Sequence, residues 1–361
     1  MSSVPKGFLL SGIHCGIKKK KLDLGLIFSE NPCLSSAVFT SNLNPAYSIT
    51  VSKKNAKSSA RAILVNSGNA NCWSHKSGLK DTQEIVSKLA SVLRVKKNEV
   101  FIASTGIIGK KLPKEKIIKS FPVLVKKLGK SSNDFSKSIL TTDTLKKQVS
   151  VKVGKATITG FAKGSGMIYP NMATMLGFIL TDADIPVNIF KKGAKEAIDD
   201  SFNSISVDGC TSTNDAVFFL SSKKVPLKGK KQLDLFSKKV KEVCIKLAKK
   251  IVEDGEGASK FIEITIKGAK TKRQAKKGGF ALANSNLFKC ALYGENANWG
   301  RIVAALGQAG IKVAENISIK ATSLKKKQVS VIVDLKKGGF QHTIYTCDLT
   351  PAYVKINAEY S

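Results

Sequence analysis

Strand-like and helical segments are interleaved along this chain without a regular strand–helix alternation, and that order constrains the fold more than any other feature of the sequence. Short apolar runs of strand length stand at Ala62–Val65, Val149–Val153, Ala156–Phe161, Met175–Leu180, Ala216–Leu220 and Val329–Val333. Helical periodicity runs through Thr82–Val95, where Ile85, Val86, Leu89 and Leu93 form one stripe, and through Val240–Val252, where Val240, Val243, Leu247 and Ile251 form another. Asn298 is the expected cap of a third helix that carries Ile302, Val303 and Leu306 and ends near Gly310. A steady βαβ succession would build a doubly wound parallel sheet. The mixed order predicts an α/β layered sandwich instead. The length of 361 residues suits one large domain or two, at about 150 residues each.

Composition narrows the functional classes. Apolar residues make up 42% of the chain and charged residues 24%, which is ordinary globular usage, yet the formal charge is +34. Nearly all the basic residues are Lys, with Arg only at 61, 94, 273 and 301. Nucleic-acid readers favour Arg for bidentate contacts. The lysine runs, such as Lys18–Lys21 and Lys325–Lys327, are spread along the whole length and are not interleaved with aromatics. They are read as a solvated surface, with a polyanion-binding face as the competing reading. The Cys at 15, 33, 72, 210, 244, 290 and 347 show no CxxC spacing, and the three His at 14, 75 and 342 are dispersed. Neither a disulfide framework nor a metal site is expected, and a reducing, cytoplasmic compartment is the default. The longest apolar run, Met172–Leu180, is strand-sized, far short of the ~18 residues of a membrane helix, and no export signal is expected from the short apolar run near the N-terminus.

Gly-rich and small-polar clusters punctuate the periodic segments, at residues 66–71, 104–109, 141–144, 163–167, 206–215, 253–259 and 296–301. No GxGxxG fingerprint and no P-loop is present, and with so few His a Ser-His-Asp or Cys-His site is disfavoured. The segment with most chemical content is KGSGMIYPNMATMLGFILTDADI, residues 163–185. Thr174 follows a small Ala173 and leads into an apolar strand. Set free as a new N-terminus, it would have a hydroxyl nucleophile and, as general base, its own α-amine with a pKa of about 7.7–8.0. Such a site needs no His. On its residues alone, Thr174 reads first as an ordinary β-branched packer.

The clusters taken together resemble the ornithine acetyltransferase family, also called glutamate N-acetyltransferase, of arginine biosynthesis. The resemblance rests on VNSGNAN at 65–71, ASTGIIG at 103–109, TTDT at 141–144, KGSGMIYPNMATML at 163–176, SFNSISVDGCTSTND at 201–215, NWGRIVAALGQAG at 298–310 and CDLTPAYVKINAEYS at 347–361. It implies an αββα layered sandwich of the N-terminal-nucleophile-like kind. It implies self-cleavage between Ala173 and Thr174 into an α chain (1–173) and a β chain (174–361) that stay one folded unit and associate as a heterotetramer. Thr174 would be the nucleophile of a ping-pong acetyl transfer from N-acetylornithine to glutamate, with no metal or organic cofactor. Acetyl-CoA would be an additional donor in a bifunctional version. Thr105 and Gly106 would supply the oxyanion hole. Thr142 (with Thr141 as its rival), Lys163, Thr174, Glu256, Asn357 and Ser361 would bind substrate. Ser259 stands where the family has Thr, and the chain stops at Ser361 where many members run longer. Asp208, Gly209 and the Asn214–Asp215 pair are read as a turn network beside the nucleophile, and Trp299 and Arg301 as helix anchors. The same residues leave open an aminopeptidase or amidohydrolase that passes the acyl group to water.

Overall fold

The computed structural model describes residues 3–56, 59–74, 76–169 and 175–359, and the chain divides into two compact units. The first unit comprises Met1–Gly164, Asn171–Ser201 and Thr211–Leu247, and the second Ser165–Pro170, Phe202–Cys210 and Ala248–Ser361. The first unit thus draws on residues from both sides of the Ala173–Thr174 bond. Ala173, Thr174 and Ser361 themselves lie outside the described residues.

In the first unit the elements are β1 (Phe8–Ile13), β2 (Leu24–Phe39), α1 (Tyr47–Asn55), β3 (Ala60–Asn69), α2 (Gly78–Leu93), β4 (Val100–Ile107), α3 (Lys114–Lys119), α4 (Phe121–Lys126), α5 (Asn133–Ser138), β5 (Lys147–Val153), β6 (Ala156–Lys163), β7 (Leu176–Asp184), α6 (Val187–Asp199) and β8 (Ala216–Pro226). The helix α7 (Gly229–Glu253) follows them. Eight strands are linked in the order β4-β3-β2-β8-β7-β6-β5, with β1 also paired to β2. The strand β2 spans the two halves of this sheet. Its residues 24–28 pair with β3, its residues 34–39 pair with β8, and the register breaks between Phe28 and Cys33, around Pro32. Proline cannot donate to a ladder, so a break there is its natural place.

Side-chain alternation shows how the two halves stack. In β8, Ala216, Phe218 and Leu220 join a core shared with Ile63 and Val65 of β3 and Phe101 of β4. In β3 the intervening Ala62 and Leu64 face a second core with Ile85, Val86 and Leu89 of α2, Ile117 of α3 and Phe121 of α4. On the far side, Ile158 of β6, Ile179 of β7 and Phe219 of β8 meet Phe190 of α6 and Phe236 and Val240 of α7. Strands buried on both faces with helices outside are an αββα sandwich, as the sequence led us to expect. The strand and helix segments read from periodicity coincide with elements of the matching type, except that β7 starts at Leu176, one residue after the expected Met175, and α2 ends at Leu93, two residues before the expected Val95.

The second unit holds β9 (Phe261–Ala269), α8 (Lys272–Ala283), α9 (Asn286–Tyr293), α10 (Gly300–Gln308), β10 (Ser318–Ala321), β11 (Gln328–Asp334), β12 (Phe340–Cys347) and α11 (Pro351–Glu359). Its sheet runs β10-β11-β9-β12. Alternate residues of β9 and β11, namely Ile262, Ile264, Ile266, Val329, Val331 and Val333, pack with Leu282, Phe288, Leu292, Ile302 and Leu306 of the helices. One expectation is corrected. The side chain of Asn298 does not cap α10, whose N-cap is Trp299 without a side-chain bond; Asn298 offers only its carbonyl to the Arg301 amide at 3.2 Å. The helix does end where the sequence suggested, with Gly310 at φ +70°. No helix among the described residues is long and apolar enough to cross a membrane.

Phe218 is fully buried and contacts three other rings, Phe39 at 5.8 Å, Phe101 at 5.5 Å and Phe178 at 5.8 Å between centroids. Phe218→Ala removes a ring from the middle of the sandwich and should lower stability by about 3–5 kcal/mol, read from the denaturant midpoint.

Candidate active site

The first unit assembles its share of the expected site residues at the strand ends. β3 and β4 run parallel, so their C-terminal ends lie side by side, with Ser67 opposite Thr105 and Gly68 opposite Gly106. Thr105 is buried, and Gly106 adopts φ +132°, where a Cβ would meet the carbonyl carbon of Gly68 and, at 2.5 Å, the amide of Asn69. Only glycine fits so close to the neighbouring backbone. The two strand ends are stitched by polar side chains. The Ser104 hydroxyl donates to Asn66 Oδ1 at 2.7 Å, and Asn66 Nδ2 donates to the Asn69 carbonyl at 2.8 Å.

Lys163 is the last residue of β6 and pairs across the sheet with Leu176, the first of β7. Its side chain is only 3% exposed, and its Nζ lies 4.0 Å from Asp143 Oδ2. Asp143 is the hub of a buried charge cluster. Its Oδ1 accepts from Lys147 Nζ at 2.7 Å and from the Gly164 amide at 2.7 Å, and its Oδ2 accepts from the Thr141 amide at 3.0 Å. Burial alone would raise the carboxyl, but the charges of Lys163 and then Lys147, with the Gly164 amide, outweigh it and hold Asp143 below the usual carboxylate range. The Thr141 hydroxyl also turns toward Asp143, at 3.4 Å.

Lys18 joins the strand ends to this cluster. A Cβ on Gly68 would meet Lys18 Cγ at 3.0 Å, so its alkyl chain covers the glycine beside Gly106. Its ammonium donates to the carbonyls of Leu140, at 2.5 Å, and Leu22, at 3.1 Å. Burial pushes Lys18 down to about 8, with the charge of Lys163 acting in the same direction and Asp23 opposing. The reading of Lys18–Lys21 as a solvated face therefore holds for Lys19, Lys20 and Lys21, which are exposed, and fails for Lys18.

The second unit contains Glu256 and Asn357, which the structure brings together: Asn357 Nδ2 donates to Glu256 Oε2 at 3.0 Å. The Glu256 amide donates to the Ser165 carbonyl at 2.9 Å, and its carboxylate lies where a Cβ on Gly166 would stand. The C-terminal segment is pinned to the same loop. Asp348 accepts from the amides of Ser259, at 2.9 Å, and Lys260, at 3.0 Å, and from the Ser259 hydroxyl, while the Thr350 hydroxyl donates to the Gly257 carbonyl at 2.6 Å. A serine at 259 supplies the same hydroxyl that a threonine would. The expected turn network divides between the units. Asp208 accepts from the amides of Met167, at 2.5 Å, Ile168, at 2.9 Å, and Cys210, at 3.2 Å, in the second. Asn214 and Asp215 belong to the first. Arg301 donates to the Leu287 carbonyl, which fits an anchor.

Asp143, Lys147 and Lys18 were not singled out from the sequence. The first two stand four residues apart around TTDT, a spacing with no signature outside a helix, and Lys18 was hidden among its exposed neighbours.

A sequence profile of the ArgJ family matches residues 9–323 and 314–361. The arginine biosynthesis bifunctional protein ArgJ of Caldanaerobacter subterraneus subsp. tengcongensis is 43% identical, over 99% of this chain and 97% of its own length. That of Thermotoga neapolitana is 42% identical, over 99% of both. Among solved structures, the ornithine acetyltransferase of Mycobacterium tuberculosis complexed with ornithine is 30% identical, with a TM-score of 0.43, covering 46% of this chain and 93% of that one.

The Asp143 cluster predicts an acid-sensitive contribution to stability. A carboxyl held below its unfolded value of about 3.9 stabilises the fold above that pH, and the contribution is lost as the pH falls through the lower folded value. Asp143→Asn should therefore cost about 3–5 kcal/mol at pH 7, by leaving two buried ammoniums without their counter-ion, and the gap to the unsubstituted protein should close as the pH drops below about 4. Urea titrations at both pH values check this.

Proposed function

The chain belongs to the ArgJ family, the acetyltransferases of arginine biosynthesis, and from that membership we propose that it cuts itself before Thr174 and uses this residue to carry an acetyl group from N-acetylornithine to glutamate. In the first event the Thr174 hydroxyl oxygen attacks the Ala173 carbonyl. The C–N bond breaks, its nitrogen takes up a proton, and water hydrolyses the resulting ester to give chains 1–173 and 174–361. In the second, the freed α-amine accepts the hydroxyl proton as the oxygen attacks the acetyl carbonyl of N-acetylornithine. Ornithine departs with its amine protonated, and the amine of glutamate then attacks the acetyl ester, yielding N-acetylglutamate and restoring Thr174. Each step passes through an oxyanion, for which the Thr105 hydroxyl and the Gly106 amide are the proposed donors.

The observation that carries this reading is the pairing of β6 with β7 from Ile158↔Thr181 to Lys163↔Leu176. The strands flanking the proposed cut are hydrogen-bonded neighbours, so the bond between 173 and 174 can break while the ladder keeps the two pieces together. The same pairing sets the buried ammonium of Lys163 beside the start of β7. Lys163 is the proposed anchor of the α-carboxylate that ornithine and glutamate share. Thr142 is assigned to substrate, with Thr141 as its rival. Glu256, with Asn357, is assigned to the ammonium groups, and Ser361 completes the proposed contacts. The reaction requires no metal or organic cofactor. The assembly proposed is a heterotetramer of two α and two β chains.

Denaturing electrophoresis and N-acetylglutamate formation test this. The purified protein should run as two bands near half its mass, and Thr174→Ala should remain one full-length band without activity; an active, uncut variant sinks the assignment. Thr105→Val should lower kcat about 10²–10³-fold with KM little changed, the usual cost of one oxyanion donor.

A further inference from the structure

Two adjacent buried residues bond to both flanks of the proposed chemistry. Asn214 and Asp215, immediately before β8, are 5% and 0% exposed. The Asn214 side-chain amide donates to the carbonyl of Ser104, at 2.8 Å, and to that of Ala70, at 2.5 Å. Ser104 is the residue before Thr105, and Ala70 follows the end of β3. Asp215 Oδ1 accepts the amide of Met175 at 2.9 Å, and Met175 is the residue after Thr174. The pair is itself fixed. The Asn214 amide donates to the Ser212 hydroxyl at 3.0 Å, the Thr213 hydroxyl donates to Asn214 Oδ1 at 2.6 Å, and the Asp215 carbonyl accepts the Thr40 amide at 3.0 Å. Consecutive Cα atoms are ~3.8 Å apart across a planar peptide, so the two attachments cannot drift independently.

We propose that the Asn214–Asp215 dipeptide is a positioning clamp that sets the separation between the Thr174 hydroxyl and the Thr105–Gly106 donors, in self-cleavage and in acetyl transfer alike. The proposal rests on the assignment of those three residues above. Neither clamp residue exchanges a proton with substrate; both act through backbone groups next to the residues that do.

The state of Asp215 fits this passive role. Burial raises its carboxyl well above the usual carboxylate range, and the Met175 amide and the charge of Lys163 offset that only in part. Its Oδ2 is buried without a hydrogen-bond partner among the described residues, and the Thr40 hydroxyl, which donates to the Ser212 carbonyl at 2.7 Å, lowers the carboxyl only in part. Accepting the Met175 amide through Oδ1 needs no negative charge, and a side-chain amide of the same shape would accept it in the same place. Asn214 has no such substitute: both its N–H groups point at carbonyls, and an acceptor there would repel them.

The test is a set of near-isosteric substitutions, scored for cleavage by denaturing electrophoresis and, on the cleaved protein, for kcat and KM with N-acetylornithine and glutamate. Asn214→Asp should lower kcat about 100-fold, the effect of a misplacement near 1 Å, with both KM values within about threefold. Asp215→Ala should slow cleavage and lower kcat to a similar degree, and Asp215→Asn should rescue both to within about threefold with an unchanged pH profile. If Asn214→Asp does not fold, Asn214→Ser, which keeps one donor, takes its place, with a kcat about tenfold lower expected at constant KM. An Asn214 variant with undiminished kcat overturns the clamp, as does an Asp215→Asn variant no better than Asp215→Ala, which would assign Asp215 to proton transfer. Loss of the Thr174 reading would show in the unsubstituted protein, as an uncut chain that forms no N-acetylglutamate, and would overturn both.

Discussion

The layer of phenylalanine rings between the two halves of the eight-stranded sheet fixes the geometry on which the chemistry of the first unit depends. Phe218 of β8 stacks on Phe101 of β4 and on Phe178 of β7, with centroids 5.5 and 5.8 Å away. β4 ends in the proposed oxyanion donors, and β7 begins two residues after the proposed nucleophile. One ring therefore couples the strand that carries the donors to the strand that follows the hydroxyl. Aromatic contacts of this kind are non-directional enough to pack in a core, yet geometrically specific enough to hold two strands in register. The clamp at 214–215 refines the placement by hydrogen bonds at the strand ends, where the hydrophobic core no longer reaches.

Which parts of this arrangement were legible in the sequence follows from what each element buries. β3, β7 and β8 are buried on both faces and read as continuous apolar runs. The stripes of α2 and α7 have a single buried face and read as helical periodicity. β2 was not legible, because its sixteen residues include Ser29, Glu30, Asn31 and Pro32, which belong to the break where the strand passes from one half of the sheet to the other. The α10 cap was misassigned because a side chain suited to capping lay one residue too early, and the backbone carbonyl of Asn298 does the bonding instead. The site residues assigned by resemblance cluster where motifs stand. The groups that hold them, Asp143, Lys147 and Lys18, do not announce themselves. Nothing in a run of lysines marks which one has turned inward.

That last point qualifies the meaning of the +34 charge. Most lysines are solvated, but Lys147, Lys163, Lys260 and Lys289 are each less than 9% exposed. A buried ammonium is stable only when it is paired or hydrogen-bonded, and Lys163 has Asp143 at 4.0 Å. Lys147 has Asp143; Lys260 has Glu295 at 2.8 Å and the Leu324 carbonyl at 2.6 Å; Lys289 has the Val207 carbonyl. The buried lysines are thus structural or site-forming, and the surface excess is a separate phenomenon. Bulk charge describes how the protein attracts polyanions at low salt, whereas recognition of a small carboxylate depends on a few desolvated groups that the total does not reveal.

Asp143 and Asp215 show how the same side chain is put to opposite uses within one unit. Both are buried, and burial raises both. Asp143 has two ammoniums and two backbone amides directed at it, so its charge survives and offsets that of Lys147 and Lys163. Asp215 has one backbone amide, the Thr40 hydroxyl and the more distant charge of Lys163, which offset its burial only in part, so its carboxyl stays well above the usual carboxylate range. The same side chain is thus pushed to opposite ends of the proton-affinity scale by what surrounds it: ammoniums directed at Asp143 favour its charge, and burial with fewer donors disfavours that of Asp215.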